Sequence, residues 1–447
     1  MDCVFYVTLT PKILTRVRNH FAGRRKCIRC ISEAAVSGWD ARRNAASRYN
    51  WGYPISFGEG ETKVNIKTTL KTTVAAAALF AVAVPVAEAG TISNSNNMSV
   101  TVSGHLNKGL WYYDSGDANG VYQGDNGGSQ SRARIVAKGK VNEALSVSAV
   151  TEWAMTASDE GSLDPWSDIG GAALNGGAGA TAASDGGTDS FFGLRHNYVS
   201  FAHKTMGSLA IGHTSEATDG ITELNGVGNL QYGSNMLFGG SVQLQNSTTN
   251  AVAAGLNLSR FRVSADGTRS SVVRYNTPSI GGVVLGVSHT NEQNSAVDAK
   301  YSGKFGGIGV SAGIGYKNTA GSSTTQDAQW GGSASLSHDS GLSADFSYSE
   351  QDLVAGSGRS PVGWAVGVNY AADLTSMGTT TFRVAYSVSE DARAKNDELT
   401  GMMIGVEQSV AEGVAVYGGY QHDELDRAAG VSFDAVSTVF AGTKVVF

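Results

Sequence analysis

From Ser99 onward the chain alternates between apolar and polar positions with a period of two, the signature of strands with two unlike faces. In 342–349, Leu342, Ala344, Phe346 and Tyr348 share one face and Ser343, Asp345, Ser347 and Ser349 the other. Ile308, Val310, Ala312, Ile314 and Tyr316 alternate with Gly309, Ser311, Gly313, Gly315 and Lys317, and Phe382, Val384, Tyr386 and Val388 with Thr381, Arg383, Ala385 and Ser387. Apolar faces repeatedly end in Tyr or Trp (Tyr275, Tyr301, Tyr316, Tyr348, Trp364, Tyr370, Tyr386), as an aromatic girdle at a membrane interface requires. Sixteen strands are predicted, with fourteen or eighteen as the alternatives: 99–113, 131–141, 145–154, 191–202, 207–213, 269–277, 283–290, 296–303, 307–317, 330–338, 342–351, 361–371, 379–389, 399–409, 413–422 and 436–447. Short links such as 142–144, 204–206, 339–341 and 410–412 alternate with longer polar ones such as 155–190 and 318–329. The expected fold class is all-β, a transmembrane antiparallel β-barrel, which leaves no sheet edge unpaired in lipid.

The first 89 residues follow a different pattern. Val74–Ala87 is an apolar run preceded by Lys67 and Lys71 and followed by Ala87-Glu88-Ala89. A basic start, a short apolar centre and an A-x-A end describe a secretory signal peptide cut after Ala89. Residues 64–89 are therefore read as signal peptide and 1–63 as a mis-annotated N-terminal extension. The codons of Gly58-Glu59-Gly60-Glu61 make a purine run fit for a ribosome-binding sequence, at a suitable spacing before Val64 as start. A tryptic peptide from 1–60 in native cells would sink that reading. Residues 90–447 form the predicted barrel domain.

Composition sharpens the picture. All three cysteines lie in the first 30 residues, so Cys27-x-x-Cys30 carries no chemistry in the exported part, which needs no disulfide. Of 33 Lys/Arg and 39 Asp/Glu, 13 and 6 lie before Gly90, which leaves 20 basic and 33 acidic residues and a formal charge of −13. That balance excludes a basic nucleic-acid binder and suggests a modest cation preference. Glycine makes up 53 of the 358 residues from Gly90 on and proline three, which suits strands joined by tight turns. Seven scattered histidines offer no nucleophile–base motif and argue against a hydrolase. No cofactor or structural metal is expected, although acidic loops can hold Ca²⁺ loosely.

Four stretches together carry a family resemblance: Ser131–Trp153 (SRARIVAKGKVNEALSVSAVTEW), Arg195–Phe201 with Met206–His213, Arg269–His289, and the terminal VSTVFAGTKVVF. In this order they resemble the general outer-membrane porins, the alphaproteobacterial type most closely, over residues 90–447. The resemblance implies a homotrimer of water-filled 16-stranded barrels with an inward-folded constriction loop. It further implies passive diffusion of small hydrophilic solutes and ions, and contact with outer-membrane lipid, lipopolysaccharide and the assembly machinery. A substrate-specific channel, for sugars for example, is the alternative.

Candidate site residues follow from parity and from that resemblance. Arg132, Arg134, Lys138 and Lys140 share one face, which cannot point to lipid, where a basic residue costs about 2–4 kcal/mol at mid-depth. Arg134 and Arg195 match the family's basic cluster at the constriction. Arg195 shares a parity with Val199 and Phe201, so its inward orientation rests on the resemblance alone. Arg274 lies on the inward parity with Asn276, and Arg132 and Arg383 are further candidates. After His213 the alternation breaks, where the family folds its loop inward, so Glu216, Asp219 and Glu223 are expected to oppose the basic wall. Phe447 closes the outward row Val439, Ala441, Thr443 and Val445, and is read as the insertion signal.

Overall fold

The computed structural model describes residues 90–447 apart from 94–97, 117–118, 156–192, 226, 233–239, 241, 250–251, 320–322 and 429. The chain divides into Met1–Val64 and Asn65–Phe447. The extension, the signal segment and Ala89 lie outside the described residues.

Sixteen antiparallel strands form the barrel wall: β1 (Met98–Asp114), β2 (Asn119–Asp125, then Arg132–Lys140), β3 (Leu145–Ala154), β4 (Gly193–His203), β5 (Gly207–Ser215), β6 (Arg269–Asn276), β7 (Val283–Thr290), β8 (Ser295–Phe305), β9 (Ile308–Asn318), β10 (Gln326–His338), β11 (Leu342–Leu353), β12 (Val362–Thr375), β13 (Gly378–Glu390), β14 (Glu398–Ala411), β15 (Val414–Asp426) and β16 (Val436–Val446). Each pairs with the next, and β16 closes the ring on β1 from His105↔Val446 to Asp114↔Ser437. Every predicted strand has its counterpart. The largest departures are β2, which breaks between Asp125 and Arg132, and a two-stranded hairpin (Gln243–Gln245, Val252–Asn257) outside the wall.

Burial is inverted relative to a soluble protein. Phe346, Val368, Val384 and Ile404 are about half exposed (49, 49, 52 and 50%), whereas their inward neighbours Ser347, Asn369 and Ala385 are nearly inaccessible. An exposed apolar band of this extent is unfavourable in water and favourable in hydrocarbon. Trp330 stacks obliquely on Tyr348 and Trp364 on Tyr386 on the same outer face, with centroids 5.1 and 5.8 Å apart. Phe447 lies outward too. Its backbone exchanges two hydrogen bonds with Gly104, and a Cβ at Gly104 would come 2.7 Å from its ring.

Inside the barrel, the chain between β5 and β6 lies along the wall. Outbound, Ala217 N donates to Ser288 Oγ on β7 (2.9 Å) and Ser333 Oγ on β10 to the Ile221 carbonyl (2.6 Å). Further on, Asn229 N donates to Glu407 on β14 (2.9 Å) and Tyr232 Oη to Asp423 on β15 (3.2 Å). Returning, Arg262 donates to Ser387 on β13 (2.6 Å), Gln351 on β11 to the Ser264 carbonyl (3.1 Å) and Gln329 on β10 to the Asp266 carbonyl (2.9 Å). The inward glycines of these strands form the loop's seat. A Cβ at Gly313 would sit 2.8 Å from Ile221 Cδ1, and one at Gly405 2.8 Å from Leu230 Cδ2. Part of the glycine excess thus lies under the loop rather than in turns. An apolar cluster of loop residues (Leu230, Tyr232, Phe261) with inward Trp111, Tyr113, Met403, Tyr417 and Phe440 completes the packing, so the aromatic residues are divided between the two faces.

Candidate pore constriction

Arg132 and Arg134 project from the inner face of β2, and Arg134 is directly opposite Glu152 of β3. Glu152 is fully buried. Arg134 forms a short charge-assisted hydrogen bond with its Oε2, Arg195 Nε donates to its Oε1 at 2.8 Å, and Arg132 Nη1 lies 3.9 Å from the same oxygen. His196 Nε2 is 4.0 Å away and its Nδ1 lies 3.1 Å from Thr214 Oγ1. Two neighbouring residues of β4, Arg195 and His196, reach the same carboxylate because the register shifts: Glu152 pairs with His196, Trp153 with Leu194, and Arg195 is left over. A bulge of this kind re-aims a side chain against its parity. It resolves the orientation that simple alternation left open. Arg132, Arg134 and Arg195 thus come together around one carboxylate. Glu152, which organises them, went unnoticed because an isolated acid among strand residues carries no local signal.

The acidic side differs more from expectation. Glu216 does not oppose the arginines; it is 1% exposed, with Oε2 2.7 Å from Lys317 Nζ on β9 and Oε1 accepting from Ser270 (2.9 Å) and Thr268 (3.2 Å). An unpaired carboxylate at that depth is too costly, so the nearest inward cation captures it. Arg274 serves the same anchoring end, donating to the carbonyl of Glu216 (2.9 Å) and to Asn276 (3.1 Å), with Asp298 4.0 Å away. Asp298 in turn pairs with Lys300 at 3.1 Å. Asp219 and Glu223 remain partly accessible.

Both act electrostatically on Asp266, on the returning leg. The Asp266 carboxylate accepts from Thr222 N (2.8 Å) and Oγ1 (2.6 Å), tying the two legs together. Burial first, and then the negative charges of Glu223 and Asp219, push its acid up to about 7 against the Thr222 hydrogen bonds. A carboxyl raised in the folded state stabilises that state below the ordinary carboxylate range and loses this contribution as pH rises through about 7. Between pH 6 and 8 the inner loop is therefore expected to gain up to one negative charge. Reversal potentials should shift toward cations over that interval, and Asp266→Asn should flatten the shift. An unchanged pH response in Asp266→Asn would refute the assignment.

Arg383 is placed under the loop, not at the basic wall. It is 1% exposed and donates to both oxygens of Asp345 on β11 (2.7 and 3.0 Å), to Asn369 Oδ1 on β12 (2.7 Å) and to the Tyr232 carbonyl of the loop (2.8 Å). One guanidinium thus bridges two wall strands and the loop, a task suited to its planar fork of donors.

A family model described as "Gram-negative porin" matches residues 72–428. Among solved structures, the chain is similar to the trimer form of in-vitro folded OmpT, an outer membrane protein of Vibrio cholerae, at 16% identity and TM-score 0.50, covering 78% of this chain and 99% of that one. It is likewise similar to an anion-selective porin from Comamonas acidovorans, at 14% identity and TM-score 0.51, covering 78% of this chain and all of the other. At these identities the likeness concerns the fold. No curated protein matches the chain.

Proposed function

This chain belongs to the Gram-negative porin family and forms a passive channel of the outer membrane, and we propose that solutes pass it between the Arg132–Arg134–Arg195 fan and the Asp219–Glu223 side of the inner loop. The observation that carries this reading is the loop's path. Among the described residues its hydrogen bonds run from β6, β7 and β8 through β10, β11 and β13–β15 to Asn107 of β1, an arc that leaves out the arginine-bearing strands β2–β4. Opposed charges across a narrow low-dielectric passage produce a transverse field that orders water and hinders apolar solutes. No catalytic step enters the reading. Liposome swelling with sugars and amino acids of graded size tests it: rates falling smoothly with size are expected, whereas saturable uptake of one sugar would favour the substrate-specific alternative.

A homotrimer is supported by the outer face of β1. Lys108 sits on the outward parity between Leu106 and Leu110 and pairs with Asp125 across the wall. A lysine at this position is costly against lipid and acceptable against a second copy of the chain. Phe447, on the outer face at the end of β16, fits a signal read by the assembly machinery, and the apolar band fits lipid and lipopolysaccharide. One measurement addresses trimer and signal alike, the yield of heat-modifiable trimer in outer-membrane fractions. Deleting Phe447 should lower it several-fold, and Lys108→Glu, which sets like charges together, should convert trimer to monomer; wild-type trimer in either variant would count against that assignment. The division into a mis-annotated extension (1–63), a signal peptide ending at Ala89 and a mature barrel from Gly90 is part of the same proposal.

A further inference from the structure

The break in β2 has a lumenal purpose. After Asp125 the chain leaves the wall for six residues and rejoins it at Arg132. Asn126 Oδ1 accepts from Ser129 N (3.1 Å), closing a 3₁₀ turn over Gly127–Ser129. The turn lies on the inner side of the barrel. Ser129 Oγ is 3.2 Å from Lys444 Nζ on the inward face of β16, and the Ser129 carbonyl accepts from Asn107 Nδ2 (2.9 Å). The same Asn107 amide also donates to Asn229 Oδ1 of the inner loop (3.1 Å). The two inward segments thus meet at Asn107.

The next residue, Gln130, binds two of the three arginines of the fan. Its side-chain oxygen accepts from Arg195 Nη1 (2.7 Å), and its carbonyl accepts from Arg132 Nε (3.1 Å) and lies 2.8 Å from His105 Nε2. Arg195 and Arg132 are therefore held between Glu152 on one side and Gln130 on the other. Arg134 makes neither Gln130 contact. The exposures follow suit: side-chain accessibility is 13% for Arg195, 24% for Arg132 and 43% for Arg134. Arg134 also spends Nε and Nη2 on Glu152, so accessibility rather than free donors separates the three: a guanidinium tucked between neighbours is screened from a passing anion, whereas a more open one can exchange water for a carboxylate or phosphate oxygen.

We propose that the turn at 126–131 is a second constriction element, that Gln130 caps Arg132 and Arg195, and that of these three arginines Arg134 presents most of its charge to anionic solutes and so dominates the fan's anion response. The proposal rests on the channel reading above.

Single channels in planar bilayers under a salt gradient test it. Arg134→Gln should raise the cation-to-anion permeability ratio about threefold, as expected for loss of one focused charge. Arg132→Gln and Arg195→Gln should each move it by less than half as much. Gln130→Ala should increase conductance and, by uncapping Arg195, make Arg195→Gln as effective in that background as Arg134→Gln is in the wild type. Because the arginine variants disturb an ion-paired cluster, Gln130→Cys gives an independent readout that removes no charge, and residues 90–447 contain no other cysteine. A negatively charged thiol reagent should lower its conductance. Equal shifts for Arg134→Gln and Arg195→Gln, or a Gln130→Cys channel indifferent to the reagent, would overturn the assignment while leaving a conducting channel intact. A wild-type protein that does not conduct would overturn the channel reading and this inference with it.

Discussion

Glu152→Ala is expected to lower the stability of the folded barrel and scatter the arginine fan. Glu152 is inaccessible and holds Arg134 and Arg195 by direct hydrogen bonds, with Arg132 and His196 at the edge of contact. Without it, two to three guanidiniums face one another with no counter-charge. Removing one partner of a buried pair typically costs about 3–5 kcal/mol. Because the arginines are partly hydrated, the lower end of that range applies here. The denaturant midpoint of the purified barrel should fall accordingly. Glu152→Gln, which keeps the shape and some acceptors but no charge, should fall between wild type and Ala. Wild-type midpoints for both variants would show that the arginines need no central carboxylate. The functional readout should change together with stability: open-channel noise should rise as the freed guanidiniums sample the lumen.

Arg383→Met should have an effect of similar size by a different route. The methionine fills the space but leaves Asp345 (10% exposed) without its cation and the Tyr232 carbonyl without its donor. Breaking this bridge is expected to cost about 3–5 kcal/mol and to release the inner loop from β11–β13. Protease cleavage within 227–262 of the folded barrel should accelerate by more than tenfold. Adding Asp345→Asn to Arg383→Met should recover part of the stability, because the orphaned charge is then gone. Additive losses in the double variant would exclude a direct coupling, and an unchanged cleavage rate would show that the loop does not depend on this arginine.

The wall strands were legible from short stretches. Leu342–Leu353 and Gly378–Glu390 could be assigned, with their lipid faces, from alternation alone, because every second residue meets a different solvent and a one-residue slip would place Asp345 or Arg383 in hydrocarbon. The position of Phe447 on the outer face follows the same rule. Arg195 broke it, since the bulge that turns it inward arises from pairing with β3, some forty residues away in the chain. Glu216 failed for a related reason. Its neighbours along the chain mark it as a loop acid, but its partner Lys317 lies a hundred residues on and is brought to it only when β9 takes its place in the ring.

The amino-acid sequence by itself therefore determined the architecture: the wall strands, the face that regularly alternating strands turn to lipid, the alternation of short and long links, and the point where the chain leaves the wall after β5. These depend on local periodicity, which each segment carries independently of the others. Only the tertiary structure decided which charges face the passage. Glu152, Glu216, Asp345 and Arg383 are buried by contacts across the ring, and a buried charge takes the partner that closure supplies, whatever its place in the chain. The break in β2 belongs to the same class. Its six residues read as ordinary polar chain until the barrel closes around them and sets Gln130 over Arg132 and Arg195.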